Sequence, residues 1–227
     1  MSDLHRDGYT LADFVIRDVA RIAASLPDVG VRRGGIRNLV HANFIAELFA
    51  DERLVRAVTS IVGNDAVAVK ATLFDKTARA NWLVQWHQDR VVAVRERREA
   101  PGFGAWSVKH GVVHAEPPAA VLEQMLAVRV HLDACGADNG PLRVIPRTHR
   151  LGKLADDAIA SLVATRGVAE LYVPEGGVVF MRPLLLHASS PARNVAHRRV
   201  LHIEVAPRDA IAPLEWAAAV AITPNEM

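Results

Sequence analysis

The chain predicts an α+β fold that is mainly β, a sandwich or barrel braced by N-terminal helices. Two observations carry this expectation. From Val67 onward, short apolar stretches follow one another with turn residues between them, the pattern of a β-sandwich or barrel. Before Val67, two longer stretches carry their apolar residues at helical spacing. With 227 residues, 51% hydrophobic and 23% charged, the chain is expected to form one domain with a sizeable core. Its parts are a helical brace over 1–66, a β core over 67–208 and a tail over 209–227.

Taken in order, Thr10 is placed to cap a helix running to Leu26, with Leu11, Phe14, Val15, Val19 and Ile22 on one stripe and Pro27 ending it. A second helix is expected from Asn43 to Val62, with Phe44, Ile45, Leu48, Phe49, Leu54, Val58 and Ile61 on one face and Gly63 as its stop. Strands follow at Val67 to Phe74, Leu83 to Val94, Ala127 to Asp133, Leu142 to Ile145, Ala169 to Val173, Val178 to Leu186 and Val200 to Ala206. Asn139-Gly140 marks a turn between two of them. Residues 101–118 hold no sustained period and read as an irregular loop, either a lid or a surface insertion. The apolar tail, Ile211 to Ile222, is expected to pack on the core rather than on a partner, which leaves monomer and homodimer both open.

Charge and composition narrow the partners. The net charge is +2, basic residues alternate with acids in Arg95-Glu-Arg-Arg-Glu99, and the basic stretch at 30–37 is too short for a nucleic-acid footprint. No apolar run approaches the length of a membrane span. A single cysteine, Cys135, excludes an intramolecular disulfide and reads as a buried, inert thiol in a reducing compartment. With no secretory pattern at the N-terminus, a cytoplasmic protein without nucleic-acid or membrane partners is expected.

The chemistry-bearing residues stand at strand ends. His87 and Asp89 close the apolar stretch that begins at Trp82, and His187 closes the one that begins at Val178. Residues i and i+2 of a strand share a face, so His87 and Asp89 can reach one metal while Gln88 points away. Two imidazoles and one carboxylate form the facial triad that holds non-heme Fe(II) with coordination positions open. Arg198 adds the cation that a dicarboxylate co-substrate needs.

These residues sit in longer phrases. Asn81-Trp-Leu-Val-Gln-Trp-His-Gln-Asp89, Val130-His-Leu-Asp133, Asp138-Asn-Gly-Pro-Leu-Arg-Val-Ile-Pro146 with Thr148-His-Arg150, and Pro183-Leu-Leu-Leu-His-Ala-Ser-Ser190 with Arg198-Arg-Val-Leu-His202 come in that order. Together, over about residues 60 to 208, they resemble the phytanoyl-CoA dioxygenase family. Where that family usually reads Pro-Gly-Ser-His, this chain has Pro146-Arg-Thr-His149, which puts Arg147 in the place of a turn glycine.

The resemblance implies a double-stranded β-helix, jelly-roll and cupin-like, and an Fe(II)- and 2-oxoglutarate-dependent dioxygenase. It implies His87, Asp89 and His187 as the metal ligands and catalytic centre. Arg198 is then the anchor for the distal carboxylate of 2-oxoglutarate, assisted by Ser189, with Arg199 the alternative because a slip of one residue reverses the face. Lys70 and Thr72 on one strand, and Arg129 and His131 on another, are candidates for the other end of the co-substrate. The implied reaction takes O2 and 2-oxoglutarate, hydroxylates an unactivated C–H bond of a small-molecule substrate and releases succinate and CO2; retention of Asp89 favours hydroxylation over halogenation. Trp82, Arg90, Trp106 and Lys109 are candidates to face the substrate. A metal-dependent hydrolase or cupin-like enzyme, or a non-catalytic small-molecule-binding protein on the same fold, remain the alternatives.

Overall fold

The computed structural model describes residues 2–28, 35–193 and 197–222. Most of the basic stretch at 30–37, and the last residues of the tail, 223–227, lie outside the described residues. In chain order the elements are α1 (Ser2–Asp7), β1 (Tyr9–Val15), α2 (Val19–Ala24), α3 (Asn43–Leu48), α4 (Glu52–Val62), β2 (Ala66–Lys76), β3 (Val84–His87) and β4 (Val92–Val94). Then come β5 (Gly104–Lys109), β6 (Val112–Glu116), α5 (Ala119–Gln124), β7 (Leu126–His131), β8 (Leu142–Val144), α6 (Asp156–Thr165) and β9 (Ala169–Leu171). β10 (Gly177–Met181), β11 (His187–Ser189), β12 (Arg198–Pro207) and β13 (Val220–Ala221) complete the chain. The fold is α+β and mainly β.

Two antiparallel sheets build the core. The larger has six strands in the order β1-β10-β7-β12-β2-β13, the smaller four in the order β3-β11-β8-β9. The outer face of the larger sheet, including Leu73, Val128, Val130, Leu201 and Ile203, packs against Val19, Ile22, Ile45, Leu48, Leu54 and Val58 of the helices. That is the expected brace. Its inner face looks towards the smaller sheet. In β2 the pairing slips, with Glu204 opposite Lys70 and Val205 opposite Ala68, so Val69 is an extra residue and the alternation resets there. Val67 and Val69 join an apolar cluster with Trp216 and Leu184, whereas Lys70, Thr72 and Phe74 line a cavity between the sheets.

The helix expected from Thr10 to Leu26 is corrected. Tyr9–Val15 is a strand, with Tyr9 opposite Met181 and Leu11 opposite Val179, and only Val19–Ala24 is helical. Leu11 and Val15 are 41% and 42% exposed while Ala12 and Phe14 pack on the core, a period of two. The reason is long-range: β10 offers a free edge to a segment rich in β-forming Tyr, Thr, Phe and Val, and the left-handed Asp18 (φ 55) separates strand from helix. The helix expected at 43–62 divides in two. Asp51 accepts a hydrogen bond from the Arg53 N–H at 2.9 Å and caps α4, while Gly63 (φ 117) ends it as expected.

One further expected strand divides and another is cut short, because the chain leaves its sheet within them. The 83–94 stretch becomes β3 in the smaller sheet and β4 in a separate three-stranded sheet, β4-β6-β5. The 178–186 stretch ends at Met181, and the chain turns through Arg182 to Leu186 before β11. The 101–118 segment is not irregular. It forms the β5–β6 hairpin, turning at His110 and Gly111 with φ 52 and 78. Its period was hidden because the register shifts between Gly104 and Ser107. None of its residues lines the central cavity.

Gly140 (φ 69) makes the expected turn, and a Cβ there would lie 2.5 Å from the Ser190 carbonyl oxygen. Arg147 takes up the left-handed conformation at φ 72, so the turn survives loss of the glycine. The tail packs on its own chain: Ile211, Leu214 and Trp216 are buried, and Val220 pairs with Ala68.

Candidate metal centre

Strand register brings the triad together. β3 and β11 are antiparallel neighbours with His87 directly opposite His187. Asp89 follows β3 and donates its N–H to the Pro183 carbonyl at 2.9 Å. Gln88 turns the other way, donating to the Gly152 and Leu184 carbonyls and accepting from the Leu154 N–H at 2.8 Å. One ligand atom from each of His87, Asp89 and His187 lies within 4.8 Å of the others. The His87 and His187 Nε2 atoms stand 3.8 and 3.7 Å from the two Asp89 carboxylate oxygens.

Hydrogen bonding fixes how these rings face the site. His87 Nδ1 lies 2.7 Å from the Gln85 carbonyl and His187 Nδ1 2.8 Å from the Leu185 carbonyl. A carbonyl only accepts, so each Nδ1 carries the proton and each Nε2 lone pair points at the shared space. Burial, with the neighbouring His87, pushes His187 down to about 4, which keeps it neutral. Burial also raises the Asp89 carboxyl, but His187, His202, His87 and Lys70 outweigh it and hold the group well below the ordinary carboxylate range. Neutral imidazoles and an ionised carboxylate are the donor set that a divalent iron requires. The buried Asp89 Oδ2, which has no hydrogen-bond partner among the described residues, is the orphan such an ion would satisfy.

The triad opens into a cavity of about 460 Å³ between the two sheets, lined in part by Lys70, Thr72, Phe74, Trp82, Arg129 and Arg198. Arg198 is 3% exposed, and its Nε is buried without a partner among the described residues. Arg199, one residue on, forks onto Asp133 at 2.6 and 2.9 Å, so Arg198 is the arginine of the pair that faces the cavity. Ser189 also lines it and accepts a hydrogen bond at 2.9 Å from Lys76.

The weaker expectations divide. Lys70 and Thr72 line the cavity, with Lys70 paired to Glu204 at 2.6 Å. Arg129 lines it too, whereas the buried His131 does not. Trp82 is on the wall, but Arg90 bonds the Leu154 carbonyl and Trp106, in β5, packs against the apolar cluster that holds Leu184 and Trp216. Lys109 is exposed. Among the cavity or near-cavity groups that escaped the sequence reading are Lys76, His202 and Glu204. The signal was present in β12, where Arg198, His202 and Glu204 recur at even spacing in an otherwise apolar strand.

The family model described as Phytanoyl-CoA dioxygenase (PhyH) matches residues 4–200. The chain belongs to the phytanoyl-CoA dioxygenase family. It is accordingly an enzyme of the non-heme iron and 2-oxoglutarate type, whose cofactors and co-substrates are Fe(II), 2-oxoglutarate and O2. A search of curated proteins found no match. Among solved structures, AviO1 from Streptomyces viridochromogenes Tue57 is 24% identical with a TM-score of 0.63, covering 90% of this chain and 92% of its own. EctD from S. alaskensis with 2-oxoglutarate and 5-hydroxyectoine is 20% identical with a TM-score of 0.68, covering 92% and 75%. SnoN, a non-heme alpha ketoglutarate dependent epimerase from nogalamycin biosynthesis, is 12% identical with a TM-score of 0.62, covering 91% and 81%. At these identities the likeness to these three structures is one of fold.

Proposed function

We propose that this protein is a 2-oxoglutarate-dependent dioxygenase that hydroxylates an unactivated C–H bond of a small molecule, releasing succinate and CO2. One observation carries the reading: a single cavity holds three converging ligand atoms and a buried guanidinium that has no carboxylate partner among the described residues. His87, Asp89 and His187 hold the metal. Arg198, with Ser189 beside it, holds the distal carboxylate of 2-oxoglutarate. Bound Fe(II) supplies oxygen activation coupled to decarboxylation of the co-substrate.

The chain's own contribution is orientation. Main-chain carbonyls hold both imidazoles as Nδ1–H tautomers, and the Gln88 side chain pins the turn that presents Asp89. Phe74, Trp82 and Leu142 add an apolar wall that limits water around the reacting C–H bond. The presence of Asp89 supports oxygen transfer rather than halide transfer. The two facing sheets support a double-stranded β-helix as the scaffold.

The test is an anaerobic titration of Fe(II)-loaded protein with 2-oxoglutarate, read by the visible charge-transfer absorption that chelation at a facial-triad iron produces. The expected result is a band in the wild type and none in His187→Ala. Iron binding with no band at saturating co-substrate would sink the assignment and bring the hydrolase or cupin-like reading forward.

A further inference from the structure

Three imidazoles crowd Asp89. The third is His202, whose Nε2 lies 3.7 Å from Asp89 Oδ2, as near as that of His187. Distance alone leaves it a possible fourth ligand. Its hydrogen bonding excludes that. His202 Nδ1 lies 2.9 Å from Arg129 Nη1, and a guanidinium only donates. Nδ1 must therefore accept, and the ring proton sits on Nε2, the atom that faces the metal centre. The arrangement is the reverse of that in His87 and His187, whose Nδ1 atoms face acceptors.

We propose that His202 is a positioning residue of the metal centre, locked by Arg129 as the Nε2–H tautomer so that it directs a hydrogen-bond donor at the Asp89 carboxylate. Two acceptors stand near that N–H. Glu204 Oε1, at 4.0 Å, is already held by Lys70 at 2.6 Å. Asp89 Oδ2 is buried and has no hydrogen-bond partner among the described residues. A small rotation of the ring or of the carboxylate closes the gap to hydrogen-bond length. A carboxylate oxygen has two lone pairs, so Oδ2 can accept from His202 on one and face the ion with the other, and the carboxylate is kept from swinging as it ligates. Arg129, itself buried, works through His202 by fixing which nitrogen carries the proton.

The inference rests on the metal-centre reading but not on 2-oxoglutarate, and its test uses neither turnover nor the co-substrate. Long-range 15N–1H spectra of the metal-free protein locate the ring protons, with His202 expected on Nε2 and His87 and His187 on Nδ1. A proton on Nδ1 of His202 overturns the proposal without any variant having to fold. Calorimetric titration with Co(II) gives the second measurement. His202→Leu is expected to weaken binding by about 10- to 100-fold, the usual effect of removing an outer partner of a ligand, and His202→Gln, which keeps an N–H donor, to recover most of it. Equal affinity in wild type and His202→Leu overturns the positioning role. His187→Ala separates the two readings: if it binds Co(II) like the wild type, the metal centre itself is wrong.

Discussion

Arg198 and Arg199 are adjacent in β12 and have opposite fates. Arg199 turns outward onto Asp133, while Arg198 turns inward and meets no carboxylate among the described residues. A buried guanidinium without a counter-charge is costly unless a ligand brings one. Arg198→Ala is therefore expected to weaken 2-oxoglutarate binding by about 10- to 100-fold, the worth of a charged hydrogen bond of roughly 1.5–3 kcal/mol. Titration of the charge-transfer band measures this, with Co(II) affinity unchanged as the control. At this scale His87 and Asp89 were readable because strand parity puts them on one face, whereas Arg198 was reached through the family phrase and parity left Arg199 open beside it. Lys76 was not. A lysine ending a strand reads as solvated, and its burial depends on Ser189 and Ser190 arriving from the other sheet to accept its hydrogen bonds.

Among elements, sequence periodicity identified the buried faces more reliably than the boundaries. Phe44, Ile45, Leu48, Leu54 and Val58 are all buried as expected, yet they belong to two helices because Asp51 competes for the main chain. Replacing this cap, Asp51→Ala, should cost about 1 kcal/mol of stability, visible as a lower urea midpoint with an unchanged denaturant slope. Tyr9–Val15 misled because the partner that makes it a strand lies in β10, far away in sequence. The 104–116 hairpin misled because a shifted register breaks its alternation. The reset at Val69 is the same device put to use, since it allows β2 to serve an apolar cluster and the polar cavity with one inward face.

For the molecule as a whole, the buried cations leave a mark on stability. Burial, with Arg198 next, pushes Lys76 from 10.5 down to about 7. Between about pH 7 and pH 10 the unfolded chain holds a proton that the folded chain has lost, so stability rises with pH across that window. Below it both states are protonated, and the folded state carries the unfavourable buried charge in full. Urea midpoints of the metal-free protein at pH 7, 8 and 9 should climb, and Lys76→Met should flatten the climb; parallel profiles would refute this account.

β3 carries His87 and is the outer strand of its sheet, bonded among the described residues along one edge only. Leu83, just before it, is 52% exposed. A strand with an open margin is a template on which another chain can zip. An ion held by His87 and His187 would tie β3 to β11, so chelation should loosen this open strand and show first as clumping of otherwise folded protein. Storage buffer, as much as assay buffer, then becomes part of this enzyme's chemistry.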